Sequence, residues 1–241
     1  MSGRPRVALV HDLLVSYGGS EQVLYELHRM YPDAPVFTTV FDPGRLPARF
    51  GELNVRTSFL QHMPFVGPDY QALVPFMPLA FENFDLRGYD LIISSSHACS
   101  KGVIPQPEAL HVCYCYTPLR YAWSTREEYR ERVPLRPLVH PLARPLPARP
   151  PRWDYIAAQR VDCFITLSQT VRRRIAKYYR RESDVVYPPV DLHRFQSTAR
   201  RGDSHAPFLV VSRLQPYKRV EVAVKACTRL GLYLSVIGRR P

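Results

Sequence analysis

Among its 241 residues the sequence has no apolar run near the roughly 20 that a helix needs to span a bilayer; its apolar runs, such as those in "DLIISSS" (90–96) and "PFLVV" (207–211), are the size of strands. A membrane-spanning helix is therefore not expected. The N-terminus, "MSGRPRVALVHDLL", places charge before an apolar run, as a secretory signal does, but His11 and Asp12 interrupt that run and no small-residue cleavage site follows. It reads instead as a first β-strand of a cytoplasmic protein. Cysteine is also scarce, with five residues, Cys99, Cys113, Cys115, Cys163 and Cys227, no CxxC pair and no histidine at a matching spacing. That pattern argues for buried free thiols in a reducing compartment, against a disulfide framework or a zinc site. The glycine fingerprints GxGxxG and GxxxxGK[ST] are both absent, which removes the simplest dinucleotide and nucleoside-triphosphate readings.

What is present is an ordinary globular composition, 46% hydrophobic, enough for one large domain or one domain plus part of another. The formal charge of +12 argues for an anionic partner: nucleic acid, an anionic membrane surface or phosphorylated small molecules. Charge alone does not choose among them, although no nucleic-acid recognition motif is recognisable.

Short apolar runs alternate with helical patterns along the chain. Residues 6–11, 35–40, 53–59, 90–96, 110–116, 162–168 and 183–189 read as strands, and "SEQVLYELHRM" reads as a helix with Val23, Leu24, Leu27 and Tyr31 on one face. Strands in series with helices between them predict a parallel sheet covered on both faces. A helix over 169–180 opens from Ser168, an N-cap residue type, and carries Arg172, Arg173, Arg174, Lys177, Arg180 and Arg181. A solvated helix face and a surface for anionic lipid head groups both fit that run. Residues 134–151 hold seven prolines among arginines and read as an extended or irregular excursion, flanked by Tyr121, Trp123, Tyr129 and Trp153. The polar stretch 196–207 reads as a linker, so the expected organisation is a domain over 1–195 and a new unit from 208 to 241. That unit is expected to run strand 208–212, helix from about 218 to 230 and strand 232–237. Its helix places Val220, Ala223, Val224, Cys227 and Leu230 on one side and Glu221, Lys225 and Arg229 on the other.

Three stretches carry chemistry. In "HDLLVSYGGSEQVLYEL", Gly18 and Gly19 close the loop after the first strand and open a helix, bringing unhindered backbone N–H groups to a positive helix end where an anion is favoured. In "SRLQPYKR", Arg213 ends a strand and Lys218 opens the next helix, at the sheet edge where open α/β proteins bind ligands. A phosphate contact there at 4 Å is worth about 4 kcal/mol before desolvation, against about 0.3–1 kcal/mol from the helix dipole. In "SSSHACSKG" and "LHVCYCYTPLRYAW", Ser96, His97, Tyr116, Thr117 and Arg120 fall just past strand ends. His97 is the acid/base candidate, though a histidine there also serves as a hydrogen-bonding spacer.

Taken together, "RVALVHDLLVSYGGSEQVLYEL", "YDLIISSSHACSKGV", "HVCYCYTPLRYAW", "RVDCFITLSQTVRRRI", "VVYPPVDLHRF" and "FLVVSRLQPYKRVEVAVKA" through "LSVIG" resemble the retaining glycosyltransferases of family 4, over nearly the whole chain. The more specific blocks are S-x-x-V-x-x-R-I, Y-P-P-V-D and S-R-L-x-x-x-K. The resemblance implies a GT-B fold, a Rossmann-like N-terminal acceptor domain and a second donor-binding domain. It also implies a nucleotide-sugar donor and a lipid-linked or glycan acceptor, with a mannosyl- or rhamnosyltransferase of surface-polysaccharide assembly as the nearest subgroup. Arg213 and Lys218 would hold the donor diphosphate, Gly18 and Gly19 would lie against phosphate or acceptor, and His97 and Tyr116 would be catalytic. Thr117 and Arg120 would touch the acceptor. No cofactor and no essential metal are implied, because fixed cations carry the diphosphate charge. The sequence departs from the family in two places. Tyr116-Thr117-Pro118 stands where members often have His-Thr-Pro, and Gly238-Arg239-Arg240-Pro241 stands where V-I-G-x-G-P-E leads on to an E-x7-E pair. The second departure predicts a truncated donor domain of doubtful activity, poorly packed over 207–241. A basic module that only binds an anionic membrane, on the inner face of the cell membrane, or a glycan acceptor is the alternative reading.

Overall fold

The protein is described from a computed structural model, which defines residues 4–63, 70–123, 150–190, 192, 207–212, 214 and 218–238. The chain divides into two units, Met1–Val190 and Asp191–Pro241.

The first strand, β1 (Val7–His11), is buried along its whole length. Its alternate residues serve opposite faces. Val7 and Leu9 pack with Leu24, Ala34, Val36 and Phe50, and Ala8 and Val10 pack with Met77, Phe81, Trp153 and Ala157. A strand apolar on both faces belongs in the middle of a parallel sheet, and that is where β1 lies. β2 (Val36–Thr38) and β3 (Val55–Thr57) follow on one side; β4 (Leu91–Ser96), β5 (Leu110–Cys115), β6 (Cys163–Thr166) and β7 (Asp184–Val185) follow on the other. All pairings are parallel and the order is β3-β2-β1-β4-β5-β6-β7.

Among the described residues the α-helices of this unit are α1 (Gly19–Met30), α2 (Met77–Glu82), α3 (Arg120–Trp123), α4 (Pro150–Gln159) and α5 (Gln169–Tyr179). α1 lays Val23 and Leu24 into the core. α5 begins as expected at Ser168, whose hydroxyl accepts from the Val171 N–H at 3.3 Å, and buries Val171, Ile175 and Tyr179. It ends one residue earlier than expected, because Arg180 turns left-handed with φ 57. α4 departs further from expectation, since the proline-rich stretch reads as irregular to 151 and Pro150 is already helical. Proline is acceptable there because the first-turn N–H groups have no intrahelical partner in any case. Most of that stretch, 134–149, and the flanking Tyr129 lie outside the described residues. The cysteines are all free thiols, with Cys99, Cys113 and Cys115 buried.

In the second unit, β8 (Phe208–Val211) and β9 (Leu234–Ile237) pair in parallel around α6 (Val220–Leu230). Gly238 is required by close approach, since a β-carbon there would collide with the Ser212 carbonyl oxygen. Val220, Ala223 and Cys227 are half-buried, whereas Val224 and Leu230 of the expected stripe are exposed, as are Phe208, Leu209, Val211 and Tyr233. Most of the linker stretch, residues 196–206, lies outside the described residues.

Candidate functional site

The strand order sets the location. Connections leave β1 toward β2 on one side while β4 lies on the other, so the sheet reverses direction of winding between β1 and β4, and ligands of open α/β sheets bind beyond the carboxyl ends of the strands at such a point. Gly18 and Gly19, after β1, and His97–Lys101, after β4, meet at this edge.

Gly18 is the N-cap of α1 in an extended conformation, with no side chain to satisfy the helix N–H groups. A β-carbon on Gly19 would meet nothing within 4 Å, so no side chain crowds that position of the first helical residue. Glu21, in the first turn, is buried and faces inward, where its Oε1 lies 3.3 Å from His11 Nε2 and accepts the Ser20 hydroxyl at 2.8 Å. Burial alone would raise the Glu21 carboxyl, but the His11 imidazole and the Ser20 hydroxyl hold it below its ordinary value.

His11 closes β1 and is fully buried; its Nδ1 meets Ser95 Oγ at 3.0 Å. Ser95 Oγ in turn lies 2.9 Å from the Tyr116 hydroxyl, which donates to the Ser20 carbonyl at 3.1 Å. Glu21, His11, Ser95 and Tyr116 thus form one hydrogen-bonded chain under the sheet edge, tying α1 to β1, β4 and the end of β5. The Tyr116 hydroxyl is occupied by protein partners, and burial pushes its ionisation well above the ordinary phenol range. It stays neutral at physiological pH.

Asp12 follows His11 and is wholly buried. Its Oδ2 accepts the backbone N–H groups of His97 (2.6 Å) and Ala98 (2.9 Å), and its Oδ1 those of Cys99 (2.6 Å) and Ser100 (2.7 Å). Burial would raise this carboxyl, but the imidazoles of His97 and His11 and the backbone donors hold it below its ordinary value, so it is an anion. His97 Nδ1 stands 3.2 Å from Asp12 Oδ2, and the ring lies between those of His11 (6.1 Å) and Tyr116 (6.4 Å). Burial against these groups lowers the His97 ionisation, with His11 and Arg120 adding to the effect and Asp12 and Glu21 opposing it. The ring is not closed off, since 39% of the side chain still meets solvent.

The turn after β4 is anchored from its other end by Lys101. This side chain is buried, lies 2.5 Å from Asp154 Oδ1 on α4 and donates to the Ala98 carbonyl at 2.9 Å. Asp154 Oδ2 takes the Trp123 indole N–H and the Tyr179 hydroxyl, both at 2.7 Å. Burial would lower the Lys101 ionisation, yet the Asp154 carboxylate holds it above the ordinary ammonium value.

Of the residues expected from sequence, Gly18, Gly19, His97 and Tyr116 converge at this edge; Thr117 is half-buried beside it, and Arg120 is exposed at the start of α3. Arg213 lies outside the described residues. Lys218 belongs to the second unit and sits two residues before α6, not in its first turn, because Arg219 adopts φ 52 and starts the helix late. Sequence reasoning missed Asp12, Glu21, His11 and the Lys101–Asp154 pair. Their signal was present only as charge at the close of an apolar strand, in His11-Asp12. Among the described residues no group of three or more His, Cys, Asp or Glu side chains is placed to hold a metal ion, and no helix is long and apolar enough to cross a membrane.

The first unit is thus a doubly wound parallel sheet with a glycine-opened helix and a histidine turn at its switch point. Residues 17–194 match the family described as Glycosyltransferase Family 4, and the chain belongs to it. Among solved structures it is similar to one described as the glycotransferase of kitacinnamycin, at 14% identity and a TM-score of 0.42, over 97% of this chain and 65% of that one. The chain therefore spans about two thirds of that protein's length. No curated protein matches it.

Proposed function

We propose that this chain is the acceptor-side unit, joined to donor-side structure from residue 208 onward, of a retaining glycosyltransferase. The enzyme moves a mannose- or rhamnose-type sugar from a nucleotide-sugar donor to a lipid-linked or polysaccharide acceptor. The observation that carries this reading is the convergence of the Gly18–Gly19 helix start and the His97 turn at the switch point of the sheet of a family 4 chain. Gly18 and Gly19 leave room for phosphate or acceptor oxygens against backbone N–H groups, and His97 meets a sugar hydroxyl. Thr117 and Arg120 border the acceptor. Arg213 and Lys218 hold the donor diphosphate. As the sugar–phosphate bond breaks, negative charge grows on the departing diphosphate, and cations fixed there stabilise the transition state more than the ground state. They supply the charge compensation that a divalent metal gives elsewhere. Tyr116 supports the site through the hydroxyl chain to Ser95 and Ser20.

The solvent face of α5 favours a peripheral contact with the inner face of the cell membrane. Arg172, Arg173, Arg174 and Lys177 are exposed on it, the helix holds no carboxylate, and neighbouring α4 exposes Tyr155 and Ile156. The decisive experiment incubates the full chain with GDP-mannose or dTDP-rhamnose and a polyprenyl-diphosphate-linked sugar, and follows nucleotide release and product. Nucleotide-sugar binding that falls at least tenfold in Lys218→Ala is expected, with or without turnover by this chain. Binding to anionic vesicles with no binding or turnover of either nucleotide sugar would overturn the reading in favour of a membrane- or glycan-binding module.

A further inference from the structure

We propose that Asp12 is the positioning residue that sets the His97 tautomer, so that His97 presents an unprotonated Nε2 to a hydroxyl of the bound sugar. The inference rests on the glycosyl-transfer reading of this edge. A carboxylate offers about four lone-pair positions, and in Asp12 four backbone N–H groups of His97, Ala98, Cys99 and Ser100 fill them. The main chain that carries His97 is thereby pinned to the end of β1. The ring is pinned as well, since Nδ1 is sealed from solvent 3.2 Å from Asp12 Oδ2. It makes no hydrogen bond among the described residues, so the Asp12 charge acts on it through space. At that distance a ring nitrogen with its lone pair toward an anion is repelled, whereas one carrying its proton is attracted. The proton therefore resides on Nδ1, the reverse of the tautomer that free histidine favours in water, and the neutral ring keeps its lone pair at Nε2.

The exposed part of the side chain is the rest of the ring, which carries Nε2. The groups facing His97 are Asp12 and His11 from the end of β1, Glu21 from α1, Tyr116 from the end of β5 and Arg120 from α3. The His11 ring and the Arg120 guanidinium disfavour a second proton on His97, and Asp12 and Glu21 favour one. Burial of the inner ring edge tips the balance to the neutral form.

The test is long-range proton–nitrogen NMR of the 15N-labelled full chain at mildly alkaline pH, with the His97 signals assigned by their loss in His97→Gln. We expect a protonated Nδ1 and an unprotonated Nε2; a protonated Nε2 or an even mixture of tautomers would overturn the proposal. This spectrum needs no sugar, so its failure is distinct from a failure of glycosyl transfer. Adding GDP-mannose, dTDP-rhamnose and UDP-glucose in turn is expected to shift the Nε2 signal with at least one of them, and no shift with any would refute the hydroxyl contact. In Asp12→Asn, whose amide opposes two of the backbone donors, the tautomer is expected to move toward Nε2–H if the variant folds; retention of Nδ1–H in a folded variant would also overturn the role of Asp12. If that variant does not fold, the wild-type spectrum still decides.

Discussion

Replacing Lys101 with methionine removes a buried cation and leaves the Asp154 carboxylate sealed in the protein. The two charges are 2.5 Å apart with 1% and 0% of their side chains exposed. At an effective dielectric near 20 their attraction is about 7 kcal/mol, and desolvation of several kcal/mol per ion offsets most of it. The pair is therefore near break-even against an apolar replacement, but an orphaned partner is not. Lys101→Met is expected to destabilise the first unit by about 3–5 kcal/mol. In the double variant Lys101→Met, Asp154→Asn, the asparagine oxygen still accepts from Trp123 and Tyr179 while the charge is gone, so most of that loss is recovered. The assay is urea unfolding followed by tryptophan fluorescence. Both tryptophans of the chain report on this locus, since Trp123 bonds to Asp154 and the Trp153 ring lies 5.8 Å from Lys101 Nζ. A single variant that loses less than about 1 kcal/mol, or a double variant that loses the sum of both singles, would refute the reasoning. The pH dependence follows from the same geometry. The Lys101 ionisation is raised in the fold, so the contribution of the pair is complete below the ordinary lysine value of about 10.4 and is lost as pH rises through the higher folded value.

The Gly102 backbone runs against the Trp153 ring, and a β-carbon there would overlap it, so Gly102→Ala is expected to lose about 1–3 kcal/mol in the same unfolding assay. Burial lowers the His111 imidazole from 6.5 to about 4; its Nε2 bonds to Ser94 Oγ at 2.8 Å. Its folded value is depressed, so its stabilising effect is full above about pH 6.5 and falls away as pH drops through about 4, at a cost on the order of 3 kcal/mol. Urea midpoints measured across that window should flatten in His111→Gln. Arg173→Glu combined with Lys177→Glu is expected to abolish sedimentation with phosphatidylglycerol vesicles while shifting stability by less than about 0.5 kcal/mol; unchanged sedimentation would remove α5 from the membrane contact.

The sheet was legible in the sequence because its strands are buried on both faces, which leaves continuous apolar runs such as Val7–Val10 and Leu91–Ile93 at strand length. α5 was legible through Ser168, since a cap is a local signal. α4 was not, because prolines that read as a break were sitting in the first turn, where they cost little. The glycines and His97 could be placed at the sheet edge from spacing alone. Asp12 could not be given its role, because its partners lie 85 to 88 residues away and only the fold brings them to it. The Lys101–Asp154 pair was hidden for the same reason. Lys218 was displaced from its expected turn by a single residue, Arg219, taking a left-handed conformation.

In the proposed enzyme the sheet edge between β1 and β4 receives the sugar substrate. That placement is tested most directly by amide chemical-shift mapping of the 15N-labelled full chain titrated with GDP-mannose and dTDP-rhamnose. The largest shifts are expected on Gly18, Gly19 and His97–Ser100 for at least one of them. Saturable binding whose shifts leave those amides unmoved would contradict it.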